Sequence, residues 1–271
     1  MTFIVTSIEK HWDNIVGLID SYTKMKEYEE TELILIYKEL SQKRQNDLNE
    51  VISKNTNIRY YVKHGLSRCE RKDYGAKIAN ATMVDFVDSD CIFKEDYYLK
   101  LKEHLNIPII RGRNIFLEGD TWFSKMTSIY RTICDEYVFN NETFSPNLII
   151  DKALLFKAGG WSLDNIDYSD DYNMSQRIHR IYHDKILFIP EAILYNRPDS
   201  NAKKTIKTWK EYGLGYAFRY SKCIEKEKKS FFKFVPPFVY MRNYGLDYFF
   251  FAIFQWIITT VSYVKEFIKM K

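Results

Sequence analysis

Four short apolar runs in the first ninety residues limit what this chain can become. They are TFIVT (2–6), ELILIY (32–37), IRYYV (58–62) and MVDFV (83–87). Each of the first three is followed by a longer segment with helical spacing, reaching about residues 26, 53 and 81. Short β-branched runs alternating with amphipathic stretches predict a mostly parallel sheet flanked by crossover helices, an α/β fold of Rossmann-like character. In such sheets ligands gather at the carboxyl ends of the strands. Further strands are expected at 107–112, 147–151 and 186–190, with helices over 121–138 and from about 169.

The fourth run delivers Asp88, Ser89 and Asp90 at its end. Two carboxylates one residue apart on a strand-to-loop turn can share a divalent cation while leaving coordination positions for phosphate oxygens; Mg²⁺ and Mn²⁺ both suit oxygen-only ligands. The same residues also favour an ordinary solvated turn. Asp85 is expected on a polar or peripheral face of the strand, since side chains alternate along it. Glu95 and Asp96 are expected to begin the next helix.

A second acidic stretch is GGWSLDNIDYSDDYNMSQRI, residues 159–178. Gly159-Gly160 allows close backbone approach and Trp161 offers a flat apolar face. Asp170-Asp171 open a helical pattern, where carboxylates complement the helix start; one of two adjacent acids can also face a cleft and act as a general base toward a hydroxyl. His179 and His183 on the same pattern are structural or a third metal ligand. Asn147 and Trp161 are either packing residues or line an acceptor side, and residues 111–145, with Arg111 and Arg113, are expected to shape acceptor choice.

A net charge of +4 is too mild for a nucleic-acid partner unless it is concentrated on one face. It is concentrated near the C-terminus, where residues 202–229 are basic and the following segment, which includes the apolar run from Tyr248 to Val264, is dominated by Phe, Tyr, Ile and Val. That run is at the lower limit for a spanning helix. Its composition suits a helix lying at a membrane interface better than one crossing it, with a packed core helix as the alternative. Lys203, Lys204, Lys207, Lys228 and Lys229 would be drawn to anionic head groups. The N-terminus turns polar after one short apolar run, which is not a secretory signal, and the four scattered cysteines form no metal or disulfide pattern. The expected location is cytoplasmic, peripheral at the inner face of the cell membrane.

Taken together, GLSRCERKDYGAKIANATMVDFVDSD (65–90) and the later Gly159-Gly160-Trp161, Asp170-Asp171 and Arg177 resemble the family 2 nucleotide-sugar glycosyltransferases, which have the GT-A fold. Lys72-Asp73 stand where that family has Arg-Asn, and Gly75 lies thirteen positions before Asp88 as in the family. The resemblance spans roughly residues 1–200, read as a GT-A domain with a donor half (1–110) and an acceptor half (111–200), followed by a helical C-terminal region (201–271). It implies an inverting, metal-dependent transfer from a nucleotide-sugar, a UDP-sugar by default, to a saccharide acceptor. Asp88 and Asp90 would hold Mg²⁺ or Mn²⁺; Thr6, Lys72, Asp88, Ser89 and Asp90 would contact the donor; Gly160, Trp161 and Asp170 would lie on the acceptor or donor-sugar side; Asp171 would be the base. The tail is similar to that of members acting on lipid-linked acceptors, and the Lys-, Ile-, Asn- and Tyr-heavy composition suits a bacterial polysaccharide or glycolipid pathway. The family's acids after the second strand are replaced by Tyr37-Lys38, which bears on the base of the nucleotide, and Ile181 replaces the Trp of the processive signature Gln-x-x-Arg-Trp. The competing readings are a catalytically silent, membrane-anchored scaffold of the same fold and a nucleotidyltransferase, the latter lacking the Gly-rich phosphate loop it would need near the first strand.

Overall fold

The computed structural model describes residues 1–135, 145–163, 170–197, 201–221 and 241–270. These form two compact units, one of residues 1–115 and 139–197, the other of 116–138 and 198–271. The helix expected near 121–138 therefore groups with the C-terminal helices rather than with the sheet.

The first unit carries the strand–helix rhythm: β1 (Thr2–Ser7), α1 (Trp12–Thr23), β2 (Glu32–Tyr37), α2 (Gln42–Lys54), β3 (Ile58–Val62), α3 (Arg68–Ile78) and β4 (Met83–Val87). β1 pairs in parallel with both β2 and β4, and β2 with β3, so Ser7, Tyr37, Val62 and Val87 all end at the same edge. The sheet continues through β5 (Cys91–Phe93), β6 (Ile109–Phe116), β7 (Leu148–Asp151) and β8 (Leu187–Asn196) in the order β3-β2-β1-β4-β7-β6-β8-β5, with β7 antiparallel to both β4 and β6 and β5 antiparallel to β8. Short helices α4 (Tyr97–Lys102) and α6 (Lys152–Lys157) and the longer α7 (Asp170–His179) complete the unit. β5 and α6 are too short to show a period in the sequence.

Both faces of the central strands are covered. Phe3, Val5, Leu33, Leu35 and Val87 belong to one core, and Ile4, Ile34, Ile36, Val84 and Phe86 to the other. Such two-sided burial is why these strands read as continuous apolar runs. It also overturns the peripheral placement of Asp85. β4 lies between β1 and β7, with Asp85 opposite Phe3 on one side and Ile149 on the other, and its side chain is fully buried. The Tyr97 hydroxyl lies 2.7 Å from Asp85 Oδ2 and 2.6 Å from Asn147 Oδ1. A phenol has one proton to donate, so both contacts are satisfied when a protonated Asp85 donates to Tyr97 and Tyr97 donates to Asn147. Burial agrees, pushing the Asp85 carboxyl up to about 7 although the Tyr97 contact opposes the shift.

The second unit contains α5 (Trp122–Ile133), α8 (Ala202–Ser221) and α9 (Met241–Met270). α9 is interrupted at Gly245, whose φ of 78° is left-handed. Phe251 packs edge-on against Trp122, Phe123 and Trp209, tying α9 to its two neighbours. Gly213 permits the close approach of α8, since a Cβ there would sit 2.4 Å from the Thr259 carbonyl oxygen.

Candidate active site

The Asp88-Ser89-Asp90 turn leaves β4 at the edge where the parallel strands end, and Phe86 and Val87 anchor it in the two cores. Backbone bonds fix it at both ends. Cys91 N–H donates to the Asp88 carbonyl at 3.1 Å, and Arg197 N–H, just beyond β8, donates to the Asp90 carbonyl at 3.0 Å. The Arg197 guanidinium then reaches back to α1, donating to the Asp13 carbonyl at 3.3 Å and to Asn14 Oδ1 at 3.2 Å. Ser89 is buried with its Oγ 3.3 Å from His11 Nδ1, while Asp88 is exposed and Asp90 half-buried. These backbone bonds hold the turn that carries the two acids.

These two acids suit a hard divalent cation. Mg²⁺ is commonly held by one or two carboxylates together with substrate phosphates and water rather than by an all-protein cage. Among the described residues no group of three or more His, Cys, Asp or Glu side chains gathers as a metal site, so neither His179 nor His183 completes a preformed one.

The second half of the site is built on α3. Ser67 caps it in a reciprocal box with Glu70, fixing where the helix starts. Gly75 lets it lie flat on the sheet, since a Cβ would come within 2.6 Å of Ile4 and Ile36 side-chain carbons. The helix then presents Lys72 and Asp73 inward, each about 5% exposed. Asp73 accepts from Trp161 N–H at 2.7 Å, Ser162 N–H at 2.9 Å and the Ser162 hydroxyl at 2.6 Å. Arg177, on α7, donates to the Ala158 carbonyl at 2.8 Å and also to the Gly160 carbonyl. The turn of Gly159 and Gly160, with φ of 92° and 70°, is therefore held from two sides, and Asp73 and Arg177 have structural work.

Trp161, so positioned, packs its ring edge-on to Phe86 at 5.0 Å. Lys72 Nζ sits 3.8 Å above the same indole and 3.1 Å from Ser145 Oγ. It also donates to Asp170 Oδ2 at 3.0 Å, while Arg68 donates to Asp170 Oδ1 at 2.7 Å. A continuous series of contacts, Phe86 to Trp161 to Lys72 to Asp170, links the strand bearing Asp88 and Asp90 to the acid pair at the start of α7.

The two acids of that pair have opposite electrostatics. Burial opposes ionisation of Asp170, but Lys72 and Arg68 outweigh it and hold its carboxyl far below the usual range. Asp171 is raised well above that range, by burial first and then by the adjacent Asp170 charge. Two carboxyls whose environments push them apart are the usual way to obtain a proton acceptor poised near neutral pH. Asp170 and Trp161 are buried, and Asp171 is half-buried, the more exposed acid of the pair. Thr6 lies near the carboxyl end of β1, half-buried. Tyr37 is wholly buried at the end of β2, whereas Lys38 and Glu39 are exposed. Arg68 carries no signal in the sequence; its role depends on the 102-residue separation that folding closes to Asp170.

No protein-family model matches the chain, and no curated protein matches it in sequence. Solved structures do. A mannosyltransferase, PcManGT from Pyrobaculum calidifontis in complex with GDP-Man and Mn²⁺, superposes with a TM-score of 0.61 over 96% of this chain and 73% of its own, at 12% identity. GalNAc-T7 with UDP, GalNAc and Mn²⁺ matches with a TM-score of 0.56 over 82% of this chain and 51% of its own, at 13% identity. TarS residues 1–349 from S. aureus match at 0.51 over 97% and 91%, again at 13% identity. The fold is GT-A. At such identities the likeness is one of fold, and what the GT-A scaffold does here rests on the side chains just described.

Proposed function

We propose that the protein is an inverting glycosyltransferase that moves a sugar from a nucleotide-sugar, a UDP-sugar by default, to a hydroxyl of a lipid-linked saccharide at the cytoplasmic face of a bacterial membrane. The observation that carries the reading is the contact series joining the Asp88/Asp90 turn to an acid pair in which one carboxyl is ionised and the other is a raised-pKa base. The Mn²⁺ and nucleotide-sugar ligands of the fold neighbours support the same class of donor. Asp88 and Asp90 would hold Mg²⁺ or Mn²⁺, which when bound offsets the charge of the donor diphosphate.

In this reading the acceptor hydroxyl gives its proton to Asp171 as its oxygen attacks the anomeric carbon. The bond from that carbon to the diphosphate oxygen breaks, and its electron pair leaves with the nucleoside diphosphate. One displacement inverts the anomeric centre. Asp170 keeps Asp171 basic, and Gly160, Trp161 and Asp170 would lie on the acceptor or donor-sugar side. Family 2 membership rests on the sequence motifs and the membrane location on the composition of α9, whose Gly245–Met270 part is long and apolar enough to span a bilayer by length and composition.

A thermal-shift panel of UDP-, GDP- and dTDP-sugars, with and without Mn²⁺, tests the proposal. A ligand bound only by the native state raises the melting temperature. Metal-dependent stabilisation by one nucleotide class, absent in Asp90→Ala, is the expected result; indifference to every donor would favour a silent scaffold.

A further inference from the structure

The antiparallel pairing of β5 with β8 sets Cys91 opposite Asn196. One residue further on, Arg197 N–H meets the Asp90 carbonyl at 3.0 Å. Arg197 lies past the end of β8, and its own side chain ties it down. Nη1 donates to the Asp13 carbonyl at 3.3 Å and to Asn14 Oδ1 at 3.2 Å, both in the first turn of α1 and more than 180 residues away in the chain. The rest of the guanidinium lies over Gly17 of the same helix, where an added Cβ would come within 1.7 Å of Nη2 and 2.8 Å of Cζ. A glycine inside a helix is less favourable than an alanine, and here the space it leaves is filled by Arg197.

The same helix meets the turn from a second side. His11, at the N-cap of α1, has Nδ1 3.3 Å from Ser89 Oγ. The start of α1 therefore grips the Asp88-Ser89-Asp90 turn at Ser89 directly and at Asp90 through Arg197. Arginine suits this place, since one nitrogen serves two acceptors while the flat remainder of the group lies against the helix.

We propose that Arg197 is a positioning residue for the cation-bearing turn: by clamping the end of β8 to α1 at Gly17, it fixes the Asp90 backbone and so sets how tightly a divalent cation and a diphosphate bind there. This rests on the glycosyltransferase reading above, in which Asp88 and Asp90 hold the metal. A cation held by only two protein carboxylates gains from having both fixed in advance, because any ordering left to the moment of binding is subtracted from affinity. Arg197 acts through the main chain of Asp90 and not as a ligand.

Isothermal titration of the full chain with UDP and with GDP, each with and without Mn²⁺, reads the binding. In Arg197→Ala the Mn²⁺-dependent affinity for the diphosphate that binds wild type should fall roughly tenfold, with little change when Mn²⁺ is left out. Gly17→Ala, whose methyl group displaces the guanidinium, should show the same loss although alanine is the better helix former. The double variant should be no weaker than Arg197→Ala, because both changes act on one contact. Hydrogen exchange with no metal added reads the turn itself: residues 88–91 should exchange faster in both single variants, while Glu32–Tyr37 keep wild-type protection. If wild type binds neither diphosphate, this inference and the glycosyltransferase reading fail together. If wild type binds one, unchanged affinity in Arg197→Ala, an equal loss with and without Mn²⁺, or faster exchange throughout the sheet overturns the role of Arg197 alone. Should Arg197→Ala not fold, Gly17→Ala decides: wild-type Mn²⁺-dependent affinity in that variant overturns the proposal.

Discussion

Lys72 Nζ lies 3.0 Å from Asp170 Oδ2 beneath the surface of the protein, joining two segments that are 98 residues apart in the chain. An ion pair this deep is costly to break on one side, because the buried Asp170 is then left with only the half-exposed Arg68 as its counter-charge. Lys72→Met is therefore expected to destabilise the protein by about 3 kcal/mol. Arg68→Gln, at a half-exposed position, should cost no more than about 1 kcal/mol. Urea titrations of the two variants against wild type check the asymmetry, and equal losses would contradict it.

Asp171 has to be ionised to accept a proton, and burial with the Asp170 charge beside it delays ionisation to higher pH. The acidic limb of kcat/KM should accordingly fall above the ordinary carboxylate range. Asp170→Asn removes the neighbouring charge and leaves Lys72 and Arg68 in place, so the limb should move to lower pH. A profile that stays put in that variant would show that another group titrates. Asp171→Asn should lower kcat by ~10² to 10⁴-fold while donor affinity is retained.

Much of this arrangement is written locally. The strand rhythm, the acids ending β4 and the acid pair opening α7 are runs of adjacent residues, and each expresses a backbone preference or a solvent-facing end that neighbours alone determine. The remainder depends on partners far away. Period-two alternation assigns Asp85 to an outer face, but β4 has a neighbour on each side and a core on each face, so no polar face exists. Lys72 and Asp73 read as a substitution in a donor-binding motif. Only the folded chain places Asp73 on the Trp161 and Ser162 amides and Lys72 under Asp170. Expected strand limits at 107–112 and 186–190 also stop short, since β6 runs to Phe116 and β8 to Asn196 through polar residues that pairing sustains.

Asp85 gives the stability of the protein a pH dependence of defined sign. Its carboxyl titrates at 3.8 in an unstructured chain and at about 7 in the fold. Between those values the native state holds a proton that the unfolded state has released, so unfolding free energy falls as pH rises, by about 1.4 kcal/mol per unit from this group. Asp85→Asn keeps a donor for the Tyr97 oxygen and cannot ionise. The difference in stability between the variant and wild type should thus grow in favour of the variant between about pH 4 and 7, then level off. A difference independent of pH would mean that Asp85 is not protonated in the fold.

The outer face of α9 bears on the proposed membrane association. Leu246, Phe250, Ile257, Val261, Val264 and Ile268 are all exposed and recur at helical spacing, while Tyr248, Phe251, Gln255 and Thr259 on the opposite face are buried. A helix glued along one side to α5 and α8 has only its other side to offer, which suits insertion parallel to a bilayer surface rather than across it. Lys265 and Lys269 are exposed near its end, where anionic head groups would meet them. Phe250→Glu with Ile257→Glu should abolish flotation with anionic phosphatidylglycerol vesicles and leave the urea midpoint nearly unchanged, because both side chains already face water. Phe251→Ala, on the packed face, should instead cost about 3 to 5 kcal/mol. Flotation that survives the double substitution would sink the lipid assignment, and a wild-type dimer that the same substitution turns into monomers would identify the stripe as a protein interface.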